Sequence, residues 1–221
     1  GVIAISMNRL YEFTYKLENG ALYMDFIDPH DIYDKVIVID AGHGSRMSGA
    51  TKNGIQEKDI NLDIVLQLKA LFDAYDGNIG VYYTRTDDSN PTLQQRAELA
   101  NKAGADLFIS VHNNSSGTGN FTSVNGTQVL YSESDDMELG SKKLAQICLD
   151  NVTAASGSND FGLLKADDIY IVRSSEAPVA LIEVGFMTNR DELAKLADPE
   201  YQKTAAQGIF NAVLEAVKEG Y

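Results

Sequence analysis

Three side chains with metal-binding chemistry and one stranded carboxylate stand out among the 221 residues. His43 lies in Ala41-Gly42-His43-Gly44, just past the apolar run Val36-Ile37-Val38-Ile39, where flanking glycines leave an imidazole uncrowded. His112 closes a second run, Leu107-Phe108-Ile109-Ser110-Val111. Glu57 precedes Ile60 by three positions and Ile64 by seven, so on a helix its carboxylate shares the inward apolar stripe, unlike Asp59. Taken singly, each has a plain structural reading: a strand-end or turn histidine on a backbone carbonyl, or a first-turn acid interacting with the helix dipole. Taken together, two neutral imidazoles and one carboxylate with a fourth position open to water make the donor set of a catalytic zinc ion. Magnesium or calcium would ask for more oxygen ligands and little imidazole.

Glu183 is the stranded carboxylate. Pro178-Val179-Ala180-Leu181-Ile182-Glu183-Val184-Gly185-Phe186 is apolar on both strand faces, the pattern of a central strand. An unpaired carboxylate there costs several kcal/mol. Three resolutions follow: a salt bridge with Arg173 or Arg85, a place on a metal, or a raised pKa suited to proton transfer. Beside a zinc-activated water it would supply the general base.

The elements that must position these groups are legible around them. Lys35 to Asp40 reads as a buried strand ending in a glycine-rich turn, and Glu57 to Tyr75 as an amphipathic helix. Strands follow at Ile79 to Thr84 and Leu107 to His112, with a helix Leu93 to Ala103 between them. Further strands are predicted at Thr127 to Tyr131, Ile169 to Val172 and Val179 to Val184, with helices Met137 to Val152 and about Tyr201 to Glu219. Asn113 to Gly126, rich in Asn, Ser, Gly and Thr, reads as a long surface loop. This alternation implies an α/β fold whose mostly parallel central sheet is flanked by helices. Residues 1–33 differ. Leu10 to Lys16 and Ala21 to Phe26 are β-prone runs flanking Asn19-Gly20, a β-hairpin signal, so 1–33 reads as a β-rich segment or the remnant of a preceding module, and 34–221 as the catalytic domain.

Composition narrows the functional classes. Eighteen Lys and Arg against 32 Asp and Glu give a net charge of −14, which removes the electrostatic basis of nucleic-acid binding and of recruitment to anionic membranes. One cysteine excludes a disulfide framework, and with three histidines it excludes a Cys₄ or Cys₂His₂ zinc site. No apolar run is long enough for membrane insertion, and a start at Gly1 with no basic segment fits a trimmed or mature fragment. His30, beside Pro29, is expected to be structural. A dinucleotide fold would need glycine where Met47 stands, and no serine sits in a Gly-x-Ser-x-Gly elbow.

The motifs as a set resemble the zinc-dependent N-acetylmuramoyl-L-alanine amidases of bacterial cell-wall turnover, amidase type 3, from about Lys35 to Lys218. Val36 to Gly44 is similar to the family's first-ligand motif, Asn53 to Asp59 to its second, and Tyr83 to Asp87 with Leu93-Gln94-Gln95-Arg96-Ala97 and Ala100-Asn101 to the next block. Ser110 to Ser115 resembles the third-ligand motif, and Ala177 to Asn189 the motif of the catalytic glutamate. The resemblance implies one zinc ion on His43, Glu57 and His112, Glu183 as the catalytic residue, and hydrolysis of the amide between N-acetylmuramic acid and L-alanine of the stem peptide. Asn114, Arg173 and Arg85 are the candidate substrate-binding residues. Peptidoglycan is the implied partner, for a monomer exported to the cell wall or periplasm. The alternative is an inactive peptidoglycan-binding module on the same fold. Two departures stand out: Ala41 replaces a frequent Pro, and Ser45-Arg46-Met47-Ser48 replaces the usual Gly and Asp, which touches specificity rather than ligation. The segment between Tyr131 and Ile169 accommodates one helix and a loop, so no inhibitory plug helix is expected.

Overall fold

The computed structural model describes residues 2–134 and 140–221. Its centre is a six-stranded mixed sheet in the order β6-β3-β7-β10-β8-β9. Strands β3 (Lys35–Ala41), β6 (Ile79–Tyr83), β7 (Leu107–Asn114) and β10 (Val179–Phe186) run parallel, while β8 (Thr127–Tyr131) pairs antiparallel with β10 and carries β9 (Asp160–Lys165) parallel to itself. The carboxyl ends of the four parallel strands therefore share one edge, where functional groups of an open α/β sheet gather. A small hairpin of β4 (Thr51–Lys52) and β5 (Ile55–Gln56) stands at that edge and leads into α1 (Glu57–Asp73).

Alternate side chains of each buried strand feed two cores. Ile37, Ile39, Ile109, Val111, Ile182 and Val184 face α1, α3 (Ser141–Ser156), α5 (Arg190–Leu196) and α6 (Pro199–Lys218). Val36, Val38, Phe108, Val179 and Leu181 face the other way, toward α2 (Leu93–Ala103) and α4 (Tyr170–Arg173). A strand whose both faces are covered in this way reads as a continuous apolar run, which is why these were legible. Helix α2 starts on a Thr92–Gln95 capping box and stops at Gly104, φ +62, whose carbonyl His30 Nε2 meets at 2.9 Å. His30 thus has the structural place expected of it.

Elsewhere the local reading fails. Ile169 to Val172 is no strand: Tyr170–Arg173 is the single-turn helix α4, and Ile171 and Val172 are apolar because they pack on α2 and β10. The outer strand is β9 instead, disguised by its glycine and charged ends; Gly162, φ +93, sits where its register with β8 slips. Helix α5, capped by Asn189, went unread. The expected start of α3 at Met137 falls outside the described residues.

The hairpin of β1 (Glu12–Glu18) and β2 (Ala21–Ile27) turns on Asn19 (φ +52) and Gly20 (φ +76), the two left-handed residues a tight hairpin requires. It forms its own two-stranded sheet, tied to the domain by Leu10 N–H on the Lys102 carbonyl and by the Tyr82 hydroxyl on Glu12.

Beneath the carboxyl edge lies a buried ion pair. Asp40 accepts from Arg96, Ser110 Oγ and Thr84 Oγ1. Burial opposes its ionisation, and Arg96 with the two hydroxyls outweighs burial, holding the carboxyl below the usual range. Removing one partner of such a pair strands the other. Arg96→Ala is expected to cost about 3–5 kcal/mol of unfolding free energy in urea, and a loss below about 1 kcal/mol would show that Asp40 is satisfied without it.

Candidate metal and catalytic centre

The turn after β3 is built to present His43. Its φ of +62 is an uncommon conformation for a side-chain-bearing residue and must be held by its surroundings. Two arginines hold it. The Ala41 carbonyl accepts from Arg85 Nε at 2.8 Å and Arg96 Nη1 at 2.6 Å, the Gly42 carbonyl from Arg85 Nη2 at 2.9 Å, and the His43 carbonyl from Arg96 Nη2 at 2.6 Å. Asn61, one turn into α1, adds its amide to Gly42 at 3.1 Å. Gly42 is obligatory, because a Cβ there would lie 2.2 Å from the His112 ring.

Glu57 opens α1 facing inward, 4% exposed, as its register predicts. Its Oε1 lies 3.1 Å from His43 Nε2 and 2.9 Å from His112 Nδ1, and it accepts the Asn113 N–H at 3.2 Å; Oε2 accepts the Ala50 N–H at 2.8 Å. Burial works against the charge, and hydrogen bonding from His112 and His43 overcomes it, so the carboxyl stays well below its ordinary range. The imidazoles meet edge to face with centroids 4.8 Å apart. One donor atom from each of His43, Glu57 and His112 lies within 4.8 Å of the others, the only such cluster among the described residues. Two imidazole nitrogens and one carboxylate oxygen, drawn in from three elements, fit a tetrahedral zinc with one position left for water. At Gly49, φ +65, a Cβ would come within 2.3 Å of Glu57 Oε2, so the loop can close over the carboxylate only as glycine.

Glu183 pairs in register with His112 across β10 and β7, so the two side chains rise from the same side of adjacent strands about 4.8 Å apart. Its Oε2 is shut from solvent and has no hydrogen-bond partner among the described residues. Burial pushes its pKa up to about 7; His112 opposes that shift and Glu57 adds to it. Neither arginine relieves it. Arg85, 3% exposed, spends its donors on the Ala41, Gly42, Lys58 and Asp87 carbonyls, bracing the His43 turn. Arg173 is exposed on α4, bonded to the Asp168 carbonyl and lying over Tyr170. Asn114 ends β7, with its amide on Gln128 and its oxygen on the Ser115 N–H.

A cleft of about 330 Å³ opens beside the centre, lined by His43 and His112 with Met47, Pro91, Leu93 and Ile171. The supporting roles of Asn61, Gly49 and Arg96 were not predicted. Asn61 alone carried a signal, being one helical turn from Glu57 on the same stripe.

Comparison with known proteins gives a consistent answer. A family model described as N-acetylmuramoyl-L-alanine amidase matches residues 37–215. The chain is 36% identical over 182 residues to YqiI of Bacillus subtilis, an uncharacterised protein, covering 82% of this chain and 84% of that one. It is 34% identical over 183 residues to the N-acetylmuramoyl-L-alanine amidase LytC of the same organism, covering 83% of this chain but 36% of LytC. Among solved structures, the catalytic domain of CwlV, an N-acetylmuramoyl-L-alanine amidase from Bacillus (Paenibacillus) polymyxa var. colistinus, superposes with a TM-score of 0.76 at 34% identity, covering 83% of this chain and 98% of that one.

A carboxyl whose pKa is raised by folding destabilises the fold once it ionises. In chelator-stripped protein, the folded state binds the Glu183 proton between its unfolded value near 4.5 and its folded value near 7, so this contribution is lost as pH rises through that window. Glu183→Gln should therefore leave stability at pH 5 little changed and raise it at pH 8 by about 1–3 kcal/mol. Equal denaturant midpoints for the two proteins at pH 8 would contradict a buried, unpaired Glu183.

Proposed function

Since the chain belongs to the family of N-acetylmuramoyl-L-alanine amidases, we propose that it hydrolyses the amide between the lactyl group of N-acetylmuramic acid and L-alanine of the peptidoglycan stem peptide, with zinc as cofactor. The observation that carries this reading is Glu183 Oε2, buried without a partner one strand from His112.

His43, Glu57 and His112 are the residues that would hold the ion. Bound zinc supplies Lewis-acid polarisation of the scissile carbonyl and lowers the pKa of a water. Glu183 takes the proton from the attacking water and returns it to the leaving amine nitrogen of L-alanine. Its burial suits that exchange, since a carboxyl poised near neutrality both accepts and releases a proton at working pH. The second-layer contacts fix the ligands: the Ala50 and Asn113 N–H groups orient the Glu57 carboxylate, and the arginine-held carbonyls orient His43. The cleft beside His43 gives the substrate access; Asn114, at the end of β7, and Arg173, on α4, stand outside its lining and are proposed to contact the substrate beyond it. The site of action is the cell wall. The name of a relative from Bacillus anthracis, an uncharacterised cell wall amidase 29% identical over 192 residues, supports that placement.

The test is release of peptides from purified peptidoglycan. Zinc-loaded protein should release them, and a chelator should stop release, with zinc restoring it. Glu183→Gln is expected to keep its zinc and lose about 10²–10⁴-fold in kcat. His112→Ala should instead lose zinc on dialysis, measured by elemental analysis. Binding of peptidoglycan by zinc-loaded wild type with no release at all would leave the inactive binding module standing in place of the enzyme.

A further inference from the structure

The chain carries a surplus of carboxylates, and some of its cations meet them: Lys58 meets Asp88, Lys69 Asp73, Lys102 Glu98 and Lys143 Glu219. Lys52 and Arg190 converge on an aromatic ring instead. Lys52 Nζ lies 4.6 Å and the Arg190 guanidinium carbon 4.0 Å from the centroid of one ring, Phe121. Among the described residues neither cation has an ion pair; Lys52 donates to the Gly119 carbonyl. Each ring contact is weakly attractive, while the two like charges gathered on it repel. An anion from outside would relieve that repulsion.

Its place is specific. Lys52 stands five residues before Glu57, Phe121 nine after His112 and Arg190 seven after Glu183, so each extends from a segment that supplies the centre. The loop bearing Phe121 is fastened to the end of β10 by Thr122 N–H on the Thr188 carbonyl, Ser116 N–H on Thr188 Oγ1 and Met187 N–H on the Asn114 carbonyl. Phe121 packs with the core on the α1 face of the sheet, whereas Ile171 of the cleft belongs to the opposite face. The cationic group and the apolar cleft therefore flank the centre on different sides.

We propose that Lys52 and Arg190, held on Phe121, form a subsite for a carboxylate of the stem peptide, and that the cleft lined by Met47, Pro91, Leu93 and Ile171 takes the muramyl side. This rests on the amidase reading and adds the orientation of the substrate. Beyond L-alanine the peptide carries carboxylates, which a guanidinium binds bidentately and an ammonium as a point charge. The lactyl and N-acetyl groups are uncharged and offer methyls to an apolar wall.

Two soluble muramyl peptides differing only in whether the stem carboxylates are free or amidated distinguish the outcomes with the zinc-loaded full chain. Wild type should show a KM about tenfold lower for the free form with similar kcat, a ratio that shrinks in about 0.5 M salt. Lys52→Gln with Arg190→Gln should bring the ratio to about one, and Arg190→Lys alone should keep most of it. Zinc content and thermal midpoint are checked in parallel, and Arg190→Gln alone, with a ratio reduced about threefold, serves if the double variant does not fold. Equal KM for the two peptides in wild type, or an unchanged ratio in the variants, overturns the subsite. No release from either peptide by zinc-loaded wild type overturns the amidase reading itself, an outcome distinct from release without discrimination.

Discussion

A carboxylate taken out of water has to be surrounded by donors, and meeting that requirement at Glu57 decides how much of this protein must be in place. Its two oxygens are served from the loop before α1, from the end of β7 and from the turn after β3, segments as far as 56 positions from Glu57 in sequence. Moving any one of them strands a buried charge at a cost of several kcal/mol. The convergence of two imidazoles on one carboxylate is thus enforced by electrostatics as much as by packing. A metal-ready donor set follows from the same arrangement.

The charges beneath it continue the pattern. Arg85 and Arg96 grip the carbonyls of the turn that carries His43, and Asp40 neutralises one of them inside the sheet. Two buried guanidinium groups against two buried carboxylates, Asp40 and Glu57, leave the layer balanced. Glu183 is the carboxylate in excess of that balance, and its burial accounts for its climb toward neutrality, with Glu57 adding to it. The left-handed His43 and the unpartnered Glu183 are both unfavourable locally, and the arginine scaffold below supplies the rigidity that tolerates them.

The centre was readable because its signals were local: a histidine three residues beyond an apolar strand, a glutamate on the inward register of a helix, a carboxylate inside a doubly buried strand. The scaffold was harder to see because its meaning is long-range. Arg96 sits in an ordinary amphipathic helix, and nothing within ten residues says that it reaches Asp40, 56 positions earlier. Lys52 and Arg190 carry no local signal, and only the fold brings both to Phe121. Ile169 to Val172 was misread because four apolar residues carry no period long enough to separate a buried turn of helix from a strand.

The helical turn at Tyr170–Arg173 bears on how the site is reached. Had those residues formed a strand, the sheet would have continued and asked for another covering helix. As the single turn α4, they leave the second face covered near its carboxyl edge by the start of α2, by Ile171 and by loop residues such as Met47 and Pro91, whereas α1, α3, α5 and α6 close the first face. The cleft opens where that cover is thinnest, beside His43 and His112. Glu183 has the same parity along β10 as Val179 and Leu181, so it rises on that thinly covered face. The proposed orientation of the substrate follows this uneven layering, with the uncharged muramyl side at the open cleft and the charged side at the opposite rim, where α5 begins.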